Sequence, residues 1–129
     1  MEQATDTEAI EQLLRAYENA LNASSTKDVL PLYASDGQFL PTGAPSAVGQ
    51  EQIATSYGNV FKTIQLHVRF YIEEIVVSGS LAFARTRSEG TTLTRSNNVT
   101  SAEENRELFV FQKEDDRWRI SRYMFNKSK

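Results

Sequence analysis

Apolar residues recur at helical spacing near the start of the chain. Between residues 5 and 22 they occupy one face of a helix, at Ile10, Leu13, Leu14, Tyr17 and Leu21. Thr5 and Glu8 form a capping-box pattern, in which each side chain accepts a hydrogen bond from a backbone N–H that a helix start leaves unpaired. The pattern therefore predicts an amphipathic helix over residues 5–22 with one buried face.

Two further helices are predicted before the middle of the chain. A short one places Val29, Leu32 and Tyr33 on one face, and Pro31 limits the regularity of its first turns. A longer one begins at Gly49 and ends near residue 65, with apolar positions at Ile53, Tyr57, Val60, Phe61 and Ile64.

The remainder of the chain shows the alternation of β-strands. Four long strands are predicted, with the sequences LHVRFYIEEIVV, LAFARTRSEGTTLT, ENRELFVFQK and RWRISRYMFN. The turn VSGS, the polar loop RSNNVTSAE and the turn EDD separate them, so sequential antiparallel pairing is the simplest topology. A small strand at Gln38 to Leu40 precedes the third helix, and a bulge is predicted at Glu73 and Glu74, where the alternation breaks.

This order of elements predicts an α+β domain. Strands of about ten residues have to twist and bend to wrap around the helices. We therefore predict a conical barrel, made of a strongly curved, mainly antiparallel sheet with the three N-terminal helices packed in its concave face. The wide end of such a cone is a natural ligand pocket.

Length and composition restrict the class of protein. The 129 residues suffice for one domain with its own core, so residues 1–129 are predicted to form a single unit. A net charge of −3 argues against nucleic acid as the main partner, because phosphate binding needs a dominant basic face. No apolar run approaches the ~18 residues of a membrane span, and the acidic N-terminus is unlike a secretory signal, so a cytoplasmic location without membrane contact is expected.

The last strand carries polar residues in phase with its tryptophan. Simple alternation puts on one face Trp118, Ile120, Arg122, Met124 and Asn126. We expect Arg122, Met124 and Asn126 to line the open end of the cone, provided that no bulge interrupts residues 118–126. The opposite face carries Tyr123 and Phe125, and because both faces are partly apolar, the outer face is predicted to be buried by a second copy of the chain.

Five segments together resemble a known family. They are the helix with Tyr17, the helix start GQEQI, and the stretches LPLYASDGQFLPTG, LHVRFYIEEIVV and ELFVFQKEDDRWRISRYMFNKS. They look like the nuclear transport factor two-like superfamily, which includes SnoaL-like polyketide cyclases and ketosteroid isomerases, and NRELFVF and RWRISRYMFN are most similar to its SgcJ-type branch. The resemblance covers nearly the whole chain and implies a conical α+β barrel, usually a homodimer through the outer sheet face, with a pocket between sheet and helices.

The resemblance also bears on catalysis. Ketosteroid isomerases place an aspartate base just before a proline at the end of the first strand, and the corresponding pair here is Leu40-Pro41, so that base is missing. Tyr17 resembles the tyrosine of their first helix, which donates to the oxyanion. Their second oxyanion group is a protonated aspartate on a late strand. Glu107 lies in roughly that region, but we do not assign it as the equivalent residue. A donor without a base leaves proton transfer without an acceptor.

Histidine and arginine supply further candidates. His67 is the sole histidine and a candidate acid or base, since imidazole titrates near neutral pH, with a surface or dimer-face position as the alternative. Arg85 and Arg87 share a face, and Glu107 is placed opposite them in a neighbouring strand. They form either exposed cross-strand ion pairs or a charged group inside the cone that suits an anionic or polar ligand.

The predicted helical tyrosines Tyr17, Tyr33 and Tyr57 face the sheet, either as core or with hydroxyls toward the pocket. One histidine and no cysteine provide no spacing for a metal site, so neither metal nor cofactor is predicted.

Three functions remain open at this point. The first is a binding domain for a small hydrophobic or partly polar molecule, in a homodimer, and its ligand-binding candidates are Tyr17, Tyr33, Leu40, Tyr57, Arg85, Glu107, Arg122, Met124 and Asn126. The second is a cofactor-free acid/base enzyme of the isomerase, cyclase or hydratase kind, with catalytic candidates His67, Glu107 and Tyr17. The third is an oligomerising association module that uses the outer sheet face.

Overall fold

Two helices, two short strands, a third helix and four long strands follow one another along the chain, so the predicted α+β class is confirmed. The computed structural model describes residues 2–128, and the side chains of residues 5–128. The elements are α1 (Glu2–Asn22), α2 (Thr26–Val29), a 3-10 turn (Leu30–Leu32), β1 (Tyr33–Leu40), β2 (Ala47–Val48), α3 (Gly49–Thr63), β3 (Ile64–Ser78), β4 (Leu81–Thr94), β5 (Val99–Glu114) and β6 (Arg117–Lys127). None of the helices among residues 2–128 combines the length and apolar character that a membrane crossing requires.

The six strands form one sheet in the order β2-β1-β6-β5-β4-β3. The predicted antiparallel pairing of β3 with β4, β4 with β5 and β5 with β6 is confirmed. The parallel pairing of β1 with β6 was not predicted. The sheet is open, with β2 and β3 at its edges, and it curves around the helices as the walls of a cone.

Helix α1 packs inside the cone, and the face that it buries is the apolar face that its periodicity predicts. Ile10, Leu14 and Tyr17 are fully buried. The capping pattern at Thr5 is wrong as a helix start, because α1 begins at Glu2, where glutamate, glutamine and alanine are good helix formers.

Polar side chains of α1 bond to the backbone of the edge strand β3. The Asn22 amide exchanges two hydrogen bonds with the backbone N–H and C=O of Val68, both of 2.9 Å. The Phe70 N–H donates to Glu18 at 2.7 Å, and Arg15 donates to the Phe70 carbonyl at 2.8 Å. These bonds pair edge groups that have no neighbouring strand, so α1 is held at a defined height along β3.

Strand β5 is longer than predicted. The predicted loop over residues 95–103 is instead a turn at residues 95–98, in which Asn98 adopts φ 56°, and the ladder with β4 resumes at Val99. The inward positions Glu103 and Asn105 are polar, so this part of the strand lacks the apolar alternation on which the prediction relied.

Bulges interrupt two of the antiparallel ladders. The one predicted at Glu73 and Glu74 is confirmed by a register shift after Ile72. The other was not predicted and lies in β6, where Phe111 pairs with Ile120 and Val110 pairs with Arg122, so Ser121 is the extra residue.

The bulge at Ser121 reverses the faces predicted for the second half of β6. Trp118 and Ile120 are buried as expected, but Tyr123 is also buried at 3% exposure, whereas Met124 is 52% exposed. The prediction that Tyr123 and Phe125 face outward is therefore wrong, because the extra residue shifts the alternation by one position.

Substitution of Gly90 tests the close contact between β4 and β3. A Cβ at this position would lie 1.9 Å from the carbonyl oxygen of His67, which is backbone and cannot move freely. We expect Gly90→Ala to lower the free energy of unfolding by more than about 2 kcal/mol in urea denaturation. Gly58→Ala is the control, since a Cβ there meets nothing within 4 Å and the change should stabilise α3 by about 0.5–1 kcal/mol. Equal effects of the two changes would contradict this interpretation.

Candidate functional site

A cavity of about 770 Å³ lies between the helices and the inner face of the sheet. Helices α1 and α3 form one side, the segment between β1 and β2 forms part of the rim, and strands β3 to β6 form the other side. Its volume is that of pockets that hold small molecules. Its wall has an aromatic part and a polar part.

The aromatic part centres on Phe39. Its ring is stacked on Tyr57 with 4.6 Å between centroids, on Tyr123 at 5.7 Å and on Phe125 at 6.1 Å, with interplanar angles of 19°, 11° and 18°. Nearly parallel rings from β1, α3 and β6 line the cavity. Such a surface suits a planar apolar molecule.

Three tyrosine hydroxyls form a buried chain beside this wall. Tyr57 shares hydrogen bonds with Tyr17 at 2.6 Å and with Tyr33 at 2.7 Å. Burial raises the pKa of all three hydroxyls, so they are neutral at physiological pH. The buried hydroxyl of Tyr123 also interacts with that of Tyr17, so the group of tyrosines extends to β6.

The polar part of the wall is a row of alternate residues on β5, namely Glu103, Asn105 and Glu107, which we call the polar row. All three are buried. Glu107 accepts hydrogen bonds of 2.6 Å from the hydroxyls of Thr86 and Ser88 on β4. Because the inner face of β4 is also hydroxylic here, the row is connected across two strands.

Glu103 is held by a different set of donors. Lys127 reaches one carboxylate oxygen at 2.8 Å, and the Thr92 hydroxyl reaches the same oxygen at 2.9 Å. The Asn105 amide N–H donates to the other oxygen at 2.9 Å. The carboxylate thus accepts three hydrogen bonds, one of them from a cation.

The pKa values of the two carboxyl groups are shifted in opposite directions. Burial raises the pKa of Glu107, the bonds from Ser88 and Thr86 only partly offset this effect, and the charge of Glu103 adds to it. Burial would also raise the pKa of Glu103, but the bonds from Lys127, Asn105 and Thr92 outweigh it and lower the pKa. The site therefore combines a carboxyl group with a raised pKa and one with a lowered pKa.

Several predicted site residues do meet in this cavity. Tyr17, Tyr57 and Glu107 line it. Tyr33 does not line it but is bonded to Tyr57, so it supports the tyrosine chain.

The predicted placement of the residues of β6 at the mouth is wrong. Arg122, Met124 and Asn126 lie on the outer face because of the bulge at Ser121. Arg122 donates to the Ser121 carbonyl at 2.8 Å, and Asn126 accepts from Arg106 at 2.9 Å. The inward residues of this segment are Tyr123 and Phe125.

The predicted pairing of Arg85 with Glu107 is also wrong, as is a pocket position for Arg85. Glu107 is in register with Thr86 and shares its inward face, whereas Arg85 is exposed on the outer face. There it forms ion pairs with Glu73 at 2.9 Å and with Glu74 at 3.2 Å.

Leu40 and His67 lie outside the cavity wall. Leu40 is in register with the exposed Met124, and the inward residue of β1 is its neighbour Phe39. His67 is exposed, in agreement with the surface position that the sequence left open.

Most of the polar wall was not predicted from the sequence, above all Glu103, Asn105, Ser88 and Lys127. One signal was present. Glu103, Asn105 and Glu107 occupy the same alternate positions as Phe109 and Phe111, which are fully buried. Among residues 5–128, no three side chains of the metal-binding types come together as a metal site.

The fold and this pocket define a cone-shaped α+β domain with a ligand-sized cavity. A model of the SnoaL-like domain matches residues 14–120. The chain therefore belongs to the SnoaL-like domain family, within the nuclear transport factor two-like superfamily, while the SgcJ-type branch stays a prediction. None of the curated proteins compared with the chain matches it.

Solved structures agree with this assignment. A ketosteroid isomerase-like protein from Erwinia carotovora atroseptica is 31% identical with a TM-score of 0.91, and the alignment covers 95% of each chain. A nuclear transport factor 2 (NTF2-like) superfamily protein from Salmonella enterica is 20% identical with a TM-score of 0.87, over 98% of this chain and 94% of that chain. A conserved protein from Planctomyces limnophilus is 18% identical with a TM-score of 0.84, over 96% of this chain and 98% of that chain. The latter two show similarity of fold alone.

Substitution of Glu107 tests the raised pKa of its buried carboxyl group. Its pKa is raised above the usual 4.5, so folding favours the protonated form. The resulting stabilisation is fully present below the unfolded-state pKa and is lost as pH rises through the folded-state pKa. We expect the free energy of unfolding of the wild type, minus that of Glu107→Gln, to fall in urea denaturation as the pH is raised from below the usual pKa of 4.5 towards neutral, since glutamine does not titrate.

Glu51→Gln is the control for this measurement, because Glu51 lies at the rim and is exposed. A difference that stayed constant or grew with pH for Glu107→Gln would show that the carboxyl is ionised in the folded protein throughout this range.

Proposed function

We propose that this protein binds a small, largely apolar molecule in the cavity between its helices and its sheet. The observation that carries the proposal is the cavity of about 770 Å³ with stacked rings on one part of its wall and a hydrogen-bonded polar row on another. Ligand pockets of roughly 300–1,000 Å³ have this composition, in which apolar surface provides affinity and a few polar groups provide orientation. The similarity to the ketosteroid isomerase-like protein supports the same interpretation.

A pocket-filling variant tests binding. Val60 lines the cavity from α3, so Val60→Trp should occupy part of the volume. The probe is N-phenyl-1-naphthylamine, a neutral apolar dye whose fluorescence rises on burial. We expect saturable binding to the wild type, and a Kd at least about tenfold higher for Val60→Trp, equivalent to about 1.4 kcal/mol.

Val99→Trp is the matched control, because Val99 is 50% exposed and lies outside the cavity wall. It should bind the dye like the wild type, and circular dichroism should show that both variants are folded. Unchanged binding by Val60→Trp would place the dye elsewhere and contradict the proposal.

We further propose that the protein is a homodimer through the outer face of the sheet. Apolar residues occupy adjacent registered positions there: Val76, Phe83 and Val110 in one row, and Leu108 and Met124 in the next. Val76, Leu108 and Met124 are 43%, 47% and 52% exposed. Burial of such a patch by a second copy would remove apolar surface from water, which favours association.

The mass in solution tests the dimer. We expect the wild type to have about twice the chain mass of 14.6 kDa by light scattering. Leu108→Glu with Met124→Glu should give the monomer, because the charges would be buried unpaired at the contact. Val99→Glu, another exposed apolar position away from this patch, should leave the dimer intact. A monomeric wild type at high concentration would contradict the proposal.

A cofactor-free acid/base enzyme in the same pocket is the second candidate function. Glu107 favours it, since a buried carboxyl with a raised pKa can donate a proton, and the tyrosine chain offers a further donor. Leu40 and His67 supply no base to the cavity, which counts against the isomerase reaction. Turnover of a β,γ-unsaturated ketosteroid that is lost in Glu107→Gln would support this candidate, and binding without turnover would support the binding domain.

A further inference from the structure

Asn105 stands out in the polar row because its hydrogen bonding is incomplete. The residue is 7% exposed and lies between Glu103 and Glu107 on the inner face of β5. Its Oδ1 atom is buried and accepts no hydrogen bond from any residue that the structure describes. Buried acceptors without a donor are rare in folded proteins, and each requires a physical explanation.

The direction of the Asn105 amide is fixed by its neighbours. Its Nδ2 atom donates to Glu103 at 2.9 Å and lies 3.4 Å from the Ser88 hydroxyl oxygen. A carboxylate only accepts hydrogen bonds, so exchanging the oxygen and nitrogen would set a carbonyl oxygen against a carboxylate. The unpaired atom is therefore an acceptor, and a flip of the amide does not satisfy it.

The nearest hydroxyls cannot supply the missing donor. Ser88 has one hydroxyl proton, which it donates to Glu107 at 2.6 Å. Thr92 also has one, which it donates to Glu103 at 2.9 Å. Neither hydroxyl oxygen lies in hydrogen-bond geometry with Oδ1, whichever way its proton points, so the donor has to come from outside the wall.

We propose that Oδ1 of Asn105 accepts a hydrogen bond from a neutral hydroxyl or N–H group of the ligand, which makes Asn105 a specificity-determining residue of the pocket. The inference rests on the proposed binding function. The apolar body of the ligand lies against the stacked rings around Phe39 and Tyr123. The ligand class is thus a planar, largely apolar molecule with a hydrogen-bond donor, as opposed to its ether or ketone analogue.

The surrounding charges favour a neutral donor over a cation. Lys127 already pairs with Glu103 at 2.8 Å, so a second ammonium group would meet a positive charge beside Asn105. Lys127 is also the partner of Asn105 across the β5–β6 ladder, and its side chain is 54% exposed. Its apolar stem can shift to admit the ligand donor to the buried Oδ1 atom while the ammonium group stays paired with Glu103.

Two probes that differ in one hydrogen-bond donor test the inference. The probes are 2-naphthol, which has a hydroxyl donor, and 2-methoxynaphthalene, which has the same rings and no donor. We expect the wild type to bind 2-naphthol at least about tenfold more tightly in fluorescence titration, because a site built around a ligand donor rejects the analogue that lacks it. The greater hydrophobicity of the ether works in the opposite direction, so the preference cannot arise from transfer out of water.

Two matched variants assign the preference to one side chain. Asn105→Leu removes the acceptor, and we expect its preference for 2-naphthol to fall below about twofold. Asn126→Leu makes the same change on the outer face and should keep the preference of the wild type. In the wild type, the side-chain amide resonances of Asn105 should shift with 2-naphthol and not with the ether, a readout that does not depend on how well the variant folds.

Each outcome decides between the claims. Equal binding of the two probes to the wild type, or a preference that persists in Asn105→Leu, overturns the role of Asn105 and leaves the binding function in place. Saturable binding of N-phenyl-1-naphthylamine without binding of either naphthalene also overturns that role alone. Failure of all three probes to bind the wild type overturns the proposed function and the inference together.

Discussion

One extra residue in the last strand determines what each face of the sheet carries. Without the bulge at Ser121, Tyr123 would point away from the core that Ile120 enters. With it, Ile120 and Tyr123 both face inward, and Tyr123 stacks on Phe109 with 4.1 Å between ring centroids. The same shift moves Met124 outward, where it joins Leu108 in an apolar patch. The aromatic wall of the pocket and the apolar part of the outer face thus share one local cause.

The sequence predicted the helices and strands better than the side of the sheet on which each side chain lies. The apolar periods of α1 and α3 and the alternation of the long strands predict these elements, because each element buries one face. The orientation of Arg122 and Met124 could not be predicted in the same way. Arginine and methionine are compatible with either face of a strand, and Ser121 carries no pattern that distinguishes an extra residue from a regular one. Register is a property of the paired strands, and a single strand does not contain it.

The polar wall could not be predicted from the sequence for a different reason. A strand is recognised by apolar residues on its buried face, and the buried face of β5 between Glu103 and Glu107 is polar. The polar residues of the cavity wall are therefore those that remove the usual apolar signature of the strand that holds them. Local rules fail here because carboxyl, amide and hydroxyl groups replace core residues and satisfy one another instead.

The bonds from α1 to the edge strand also have a consequence for assembly. An open sheet ends in backbone groups that can recruit a further strand, and such recruitment continues from molecule to molecule without limit. In β3 the groups of Val68 and Phe70 are already occupied by Asn22, Glu18 and Arg15. Further along the same edge, Glu73 and Glu74 place charge beside the bulge. Addition of a further strand at this edge is thereby suppressed, which closes one route to open-ended growth of the sheet.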